Sequence, residues 1–286
     1  MKRWVNFPKL WPVGNINHDE KTLHYSKPTV AMKRSSFSRR QFVQSSIGGL
    51  GLLAMPAGLR ASAGEAFKKM KIVCVGGHPD DPESGCGGTL AKFAASGHDV
   101  TVIYLTKGEA GIPGKSHEEA AAIRSKEAVA ACKILNAKPI FAGQVDGDTV
   151  MNNEWVVKMQ QLIATEKPDI VFTHWPVDSH KDHQVASLLT IQAWEQSTDK
   201  FDLYFFEVCA GSQTMTFHPT DYVDIADVQQ QKRRAVFCHI SQDPDSIYSC
   251  GHATMEDFRG REMGVVAAEA FVHMTGRKKG SLIRGI

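Results

Sequence analysis

The chain has 286 residues, 22% of them charged, with 33 Lys+Arg against 31 Asp+Glu for a formal net charge of +2. The balance is uneven: residues 1–63 hold 10 Lys+Arg and 2 Asp+Glu, so residues 64–286 keep 23 and 29, a net charge of −6. An acidic body of 223 residues suffices for one α/β domain with a sizeable core. It is a poor partner for nucleic acid, whose binding rests on neutralising phosphates.

Residues 36–63 read as an export signal. Ser38-Arg39-Arg40-Gln41-Phe42-Val43 is a twin-arginine pattern, Ile47 to Met55 is a weakly apolar Gly-rich stretch, and Ala61-Ser62-Ala63 is a small-x-small cleavage pattern. The apolar stretch is shorter than the roughly 20 residues that span a membrane, so no stable membrane anchor is expected. Met32-Lys33-Arg34 looks like a more natural start of such a signal than Met1, so either the start codon at Met1 is misplaced or Met1 to Val30 is a long n-region of no structural importance. Residues 1–63 are thus expected to be extension and signal, and residues 64–286 one domain. That domain is expected to pass through the twin-arginine export machinery to the periplasm or beyond. Six cysteines, Cys74, Cys86, Cys132, Cys209, Cys238 and Cys250, include no C-x-x-C pair. Cys74 and Cys132 read as core residues, and two of the last three could pair after export.

The elements follow in order. Met70 to Gly76 is a continuous apolar run, read as a central strand. Gly85 to Ser96 is a helix ended by Gly97, Asp99 to Leu105 a second strand, and Lys107 to Lys115 a Gly-rich loop. Glu118 to Leu135 is an alanine-rich helix, Pro139 to Phe141 a short strand, Trp155 to Thr165 a helix, Pro168 to Thr173 a strand, and Asp182 to about Trp194 a helix. Beyond Trp194 the pattern weakens: Leu203 to Cys209 reads as a strand, Asp227 to Phe237 and Gly260 to Phe271 as helices, and Arg277 to Ile286 as a basic tail. Strands alternating with helices give βαβ units, a parallel sheet and right-handed crossovers.

Two short motifs stand out. His78-Pro79-Asp80-Asp81 follows the first strand, and His180-Lys181-Asp182-His183 follows the strand Pro168 to Thr173. Ligands of open parallel sheets bind beyond the carboxyl ends of strands, where both motifs fall. A catalytic zinc takes about three protein ligands and keeps one position open. His78 and Asp81 from one loop and His183 from the other fit that count, with Pro79 stiffening the first loop. Asp80 is then beside the metal and free to take a proton from water as general base. His180 could stabilise an oxyanion or protonate a leaving amine, with Asp182 accepting its ring proton or simply capping the following helix. His174, directly after its strand, is read as a wall of the pocket. Zinc, one per chain, is the metal expected of these donors, and iron or another divalent ion suits similar ones.

With these motifs, Gly85-Cys86-Gly87-Gly88-Thr89-Leu90, Thr106-Lys107-Gly108-Glu109-Ala110-Gly111, Arg124-Ser125-Lys126-Glu127, Asp146-Gly147 and Ala268-Glu269-Ala270-Phe271 make the chain resemble the PIG-L/LmbE-like zinc-dependent de-N-acetylases over roughly residues 71–274. The resemblance implies a Rossmann-like three-layer fold and removal of an N-acetyl group from an N-acetylated amino sugar or its glycoside. It implies ligands at His78, Asp81 and His183, a base at Asp80 and the second-motif histidine at His180. Arg124 matches a residue that contacts substrate, although here it could equally pair with Glu127 or Glu119 on a helix surface. Asp146 could accept a sugar hydroxyl or merely open an Asp-Gly turn. One departure is local: after the two aspartates the family often has an acidic and later an aliphatic residue, where this chain has Pro82-Glu83-Ser84. Two other readings share these residues: a zinc hydrolase of another amide or an ester, and a non-catalytic exported carbohydrate-binding domain with a structural metal. Lys107 to His117 and Phe205 to Pro219 are the expected pocket walls. The sequence leaves a homo-oligomer open.

Overall fold

The computed structural model describes residues 68–275; the signal-like segment and the basic tail lie outside them. Strand β1 (Lys71–Gly76) is an interior strand of the sheet. Ile72 to Val75 are all buried, as expected where helices cover both faces of a parallel strand. Helix α1 (Asp81–Ala95) follows at once, then β2 (Asp99–Tyr104) and α2 (His117–Leu135). Ser116 and Glu119 form a reciprocal capping box that starts α2, and Asn136 ends it in the left-handed conformation. Next come β3 (Lys138–Phe141), α3 (Asn153–Glu166), β4 (Ile170–His174), α4 (Lys181–Gln196) and β5 (Asp202–Phe206).

With β6 (Asp221–Asp224) and β7 (Ala268–His273), the seven strands lie in the order β3-β2-β1-β4-β5-β7-β6, and the first five are parallel. Two buried clusters sandwich the sheet. One joins Ile72, Cys74, Leu90, Val102 and Cys132; the other joins Val73, Val75, Met159, Val171 and Leu189. The expected α/β class, three layers and mostly parallel sheet are therefore present. Gly85 shows how tightly the layers meet: a Cβ there would lie 2.3 Å from the Phe206 ring.

The last third departs from the expected pattern. Helix α5 (Gln229–Val236) is close to its expected span. A short helix, α6 (Pro244–Ile247), and a π-turn (Tyr248–His252) then lead into α7 (Ala253–Met263). The expected helix from Gly260 to Phe271 is wrong beyond Met263. Gly264 caps α7 at φ 81°, and Ala268–His273 is strand β7, antiparallel to both β5 and β6 (Asp221–Asp224). Ala-Glu-Ala favours helix locally, but pairing on both edges of β7 outweighs so weak a preference. β5 also ends at Phe206, three residues short of expectation.

Strand order reverses at β1 and β4, which lie side by side yet connect outward in opposite directions. That is the switch point at which doubly wound sheets bind ligands. The two motifs leave the carboxyl ends of these two strands.

Candidate metal centre and active site

Asp80 is the N-cap of α1 at φ 109°, a conformation an L-residue adopts at a cost of about 1–3 kcal/mol and usually for function. The turn brings the side chain of Asp81 back on its own motif. Its Oδ2 accepts from the His78 backbone N–H at 2.7 Å and lies 3.1 Å from His78 Nδ1. Its Oδ1 lies 3.2 Å from His183 Nε2, across from the second motif. Neighbouring donors in a tetrahedral zinc shell with bonds of about 2.0–2.2 Å lie roughly 3.3 Å apart, so these spacings fit a metal. His78, Asp81 and His183 are all buried.

The donors form three overlapping groups with ligand atoms mutually within 4.8 Å: His78, His180 and His183; Asp81, His174 and His183; and His78, Asp146, His180 and Asp182. The three expected ligands do not make one of these groups alone; His78 and His183 each belong to two of them, and Asp81 to one. Hydrogen bonding narrows the choice. His174 Nε2 accepts from the Gly77 N–H at 3.0 Å, so its proton sits on Nδ1 and no lone pair remains. His180 Nδ1 accepts from the Asp182 N–H at 3.3 Å as N-cap of α4, which leaves its Nε2 a donor. Neither ring is then free to ligate, whereas both nitrogens of His78 and of His183 face carboxylates. The donor set fits a divalent ion for a second reason. Asp80, Asp81, Asp146, Asp178 and Asp182 gather around the imidazoles with Arg124 as the cation among them, and so much clustered carboxylate is costly without more positive charge.

The charges respond accordingly. Although burial opposes it, the His183 and His174 rings hold the Asp81 carboxyl well below its ordinary range. Asp146, Asp182 and Asp81 hold the His78 imidazole well above its ordinary value against the penalty of burial. Asp80 differs: burial pushes it up to about 6, although Arg124 pulls the other way. A partly buried carboxyl so tuned sits where a general base is effective.

Arg124 is not the surface ion pair that remained open. It is buried, donates from Nη2 to the Pro79 carbonyl at 2.6 Å, and stands 3.4 Å from Asp80 Oδ2 and 4.0 Å from Asp146 Oδ2. Glu127 instead receives Ser241, and Glu119 caps α2. Gly108, at φ 72°, is the space Arg124 needs: a Cβ there would fall 2.3 Å from Nη1. Asp146 is buried, accepts from the Ala110 N–H at 3.1 Å and lies 3.2 Å from His78 Nε2.

Asp182 does not support His180. Its carboxylate is fully buried and accepts from the Gly147 N–H at 2.8 Å and the Thr149 hydroxyl, with His78 Nε2 3.1 Å away. His180 has only its backbone N–H, and burial together with His78 and His183 lowers the His180 pKa rather than keeping the ring charged. Its ring stands edge-on to His78 at 4.6 Å and stacked on His183 at 4.7 Å. The true carboxylate behind the second motif is Asp178, which sequence reading passed over. It lies 3.2 Å from His183 Nδ1 and is fixed by the His180 N–H at 2.8 Å and the Thr214 hydroxyl at 2.9 Å. Asp178 stands two residues before His180 in the run Asp178-Ser179-His180-Lys181-Asp182-His183, a signal visible once the second motif is extended towards His174.

A cavity of about 410 Å³ opens on these residues, within the range of small-molecule sites. The two expected loops contribute Ala110, Gly111, Val208, Cys209 and Gln213. A third wall, Gln242, Ile247 and His252, comes from the irregular segment before α7 and had no signal in the sequence. Cys209 lies 3.5 Å from His252 Nε2 in this wall; Cys209 and Cys238 are both free thiols.

An α/β fold with paired His/Asp motifs at a switch point defines a class, and the chain belongs to it: this is a member of the PIG-L family, described as GlcNAc-PI de-N-acetylase, whose model matches residues 73–194. It is 34% identical to the diacetylchitobiose deacetylase of Thermococcus kodakarensis over 62% of this chain and 72% of that one. It is 30% identical to the 1D-myo-inositol 2-acetamido-2-deoxy-alpha-D-glucopyranoside deacetylase of Corynebacterium glutamicum over 42% of this chain and 51% of that one, about half the relative's length. Among solved structures, the N,N'-diacetylchitobiose deacetylase of Pyrococcus horikoshii superposes with a TM-score of 0.64 at 27% identity, covering 72% of this chain and 84% of that one. The Rossmann-like fold expected from the resemblance is the observed one.

Proposed function

We propose that this protein is a divalent-metal-dependent hydrolase that removes the N-acetyl group from an N-acetylated amino sugar or its glycoside. Asp80 carries the reading. It is the one carboxylate of the cluster that is both open to the cavity and tuned to about 6, and it stands in a strained backbone conformation braced by Arg124. A metal that only held loops together would leave such a group without a purpose.

His78, Asp81 and His183 hold the ion, taken to be one zinc per chain. When bound, the ion supplies Lewis acidity and brings the pKa of water to about 7. Asp80 accepts a proton from the attacking water and returns it to the departing nitrogen. His180 donates from Nε2 to the oxygen of the acetamide as charge builds on it. Asp182 and Asp178 orient His78 and His183, and Arg124 keeps Asp80 and Asp146 apart. The cleavage forms an acetate C–O bond, breaks the amide C–N bond and leaves the free amine.

Relatives that deacetylate acetylated sugars support this substrate class over another amide or an ester. The test is amine release by the purified protein with zinc from N-acetylglucosamine disaccharide, an N-acetylated peptide and an acetyl ester. Release from the sugar alone is expected; release from the peptide or ester alone overturns the substrate class. The same reading holds the twin-arginine pattern at Ser38 to Val43 to be functional, so that mature protein recovered outside the cytoplasm begins near Gly64. Retention of the whole precursor in the cytoplasm refutes export.

A further inference from the structure

The cavity has two unlike sides. One is the charged cluster, with Asp80, Asp81 and Asp146 lining the cavity and Asp178 and Asp182 buried behind them. The other is assembled from segments distant in sequence: Cys209 and Gln213 after β5, and Gln242, Ile247 and His252 before α7. Among the described residues that line the cavity there is no lysine, and Arg124 is the sole arginine.

Arg124 is poorly placed to serve an incoming anion, because Asp80 and Asp146 flank its guanidinium. It is buried, Nη2 donates to the Pro79 carbonyl at 2.6 Å and Nη1 to the Gly108 carbonyl at 3.5 Å, and its Nε is itself buried without a partner among the described residues. A divalent ion offsets two of the carboxylates, yet with Arg124 it still leaves carboxylate in excess. The far wall adds no positive charge. Burial, with Lys232 behind it, lowers His252 to about 4, so the ring is neutral near pH 7. Burial, with Asp81 and Asp80 opposite, pushes the Cys209 thiol up to about 11. What the far wall offers is neutral hydrogen bonding. The half-buried Gln213 side chain lines the cavity and has no hydrogen-bond partner among the described residues. Gln242 donates to the Gly111 carbonyl at 3.3 Å and the Ser241 hydroxyl at 3.1 Å, and its amide oxygen takes no bond.

Resting on the deacetylase reading, we infer that the site selects uncharged, hydroxyl-bearing N-acetyl saccharides, read by Gln213 and Gln242, and rejects sugars that carry a phosphate or carboxylate beside the acetamide. A cleft lined by one sign of charge with low-dielectric walls focuses its field, which repels a like-charged ligand. An unpaired anion in such a site is the repulsive element through which specificity is commonly built.

The experiment compares kcat/KM for neutral N-acetylglucosamine disaccharide, N-acetylglucosamine 1-phosphate and N-acetylmuramic acid at low and high salt. The neutral sugar is expected to exceed both anions at least tenfold at low salt. Raising the salt should improve the anions alone, because screening shortens the reach of the repulsion. Gln213→Lys and Gln242→Lys should each move the ratio towards the phosphate by about tenfold. Comparable kcat/KM for the anionic and neutral sugars, or an unmoved ratio in both lysine variants, overturns the charge selection and leaves the deacetylase standing. Amine release from none of the three overturns the deacetylase reading and this inference with it.

Discussion

The two ends of the sheet are built differently. From β1 to α4 the chain is a regular alternation in which each strand pairs in parallel with a strand close by, and apolar packing accounts for the layers. Beyond β5 the strand pairs turn antiparallel, the helices shorten, and buried ions join the pieces. Lys232 on α5 lies 2.8 Å from both Glu256 on α7 and Glu269 on β7, and all three are buried. Glu269 in turn accepts from the Gly88 and Thr89 N–H groups of α1 at 2.9 and 2.7 Å. Arg259 forks onto Glu207 at 2.7 and 2.8 Å. The first region carries the reacting groups on two short motifs. The second carries the far wall of the cavity and is held in register by charges rather than by periodic apolar faces. Chemistry and selectivity are thus written in different kinds of interaction.

That contrast can be broken from either side. The largest effect is expected within the first region: His183→Ala removes a proposed ligand and its contacts with Asp81 and Asp178, so zinc content measured by atomic absorption should fall to near zero and turnover to background. Full zinc occupancy in that variant moves the metal to another of the three donor groups. In the second region, Lys232→Ala strands two buried glutamates and should cost about 3–5 kcal/mol by chemical denaturation, with zinc content retained. A loss below about 1 kcal/mol means the ions do not hold this end together. Asp178→Asn should weaken zinc binding by about 10–100-fold, the usual cost of losing a carboxylate behind a ligating histidine, with little change in thermal midpoint of the metal-free protein.

The smallest expected effect is on stability against pH. Although burial opposes it, the Lys232 charge lowers the Glu256 pKa in the fold. Its contribution is therefore fully present above the unfolded value of about 4.3 and is lost as pH falls through the lower folded value. The melting temperature should fall more steeply below about pH 4.3 in the wild type than in Lys232→Met, where that ion pair is absent. Equal slopes deny the pair its role.

Legibility in the sequence follows the same division. Strands β1 to β4 and their helices were readable because each is a long local pattern with its own caps, such as Ser116 and Glu119 on α2. Both motifs were readable because the groups they bring together lie within four residues of each other. β7 was misread because Ala268 to His273 is buried by partners more than forty residues away and shows no period-two alternation. The role of Asp182 is hidden in the sequence because the Asp146-Gly147 turn, although marked there, gives no sign that its Gly147 N–H and the nearby Thr149 hydroxyl bind a carboxylate in the second motif. Arg124 was undecidable because its partners, Pro79 and Asp80, lie on a different element. Gln242 and His252 reach the cavity through anchors such as Ser241 on Glu127, long-range contacts that no local pattern announces.

The central claim is that Asp80 works beside the metal and not on it. The direct measurement pairs turnover with zinc stoichiometry in Asp80→Asn. The account predicts a loss of about 10² to 10⁴ in kcat, the usual worth of a positioned base, with zinc still bound at the wild-type ratio. Zinc lost together with activity would make Asp80 a ligand, and unchanged kcat with zinc retained would remove the base from the mechanism.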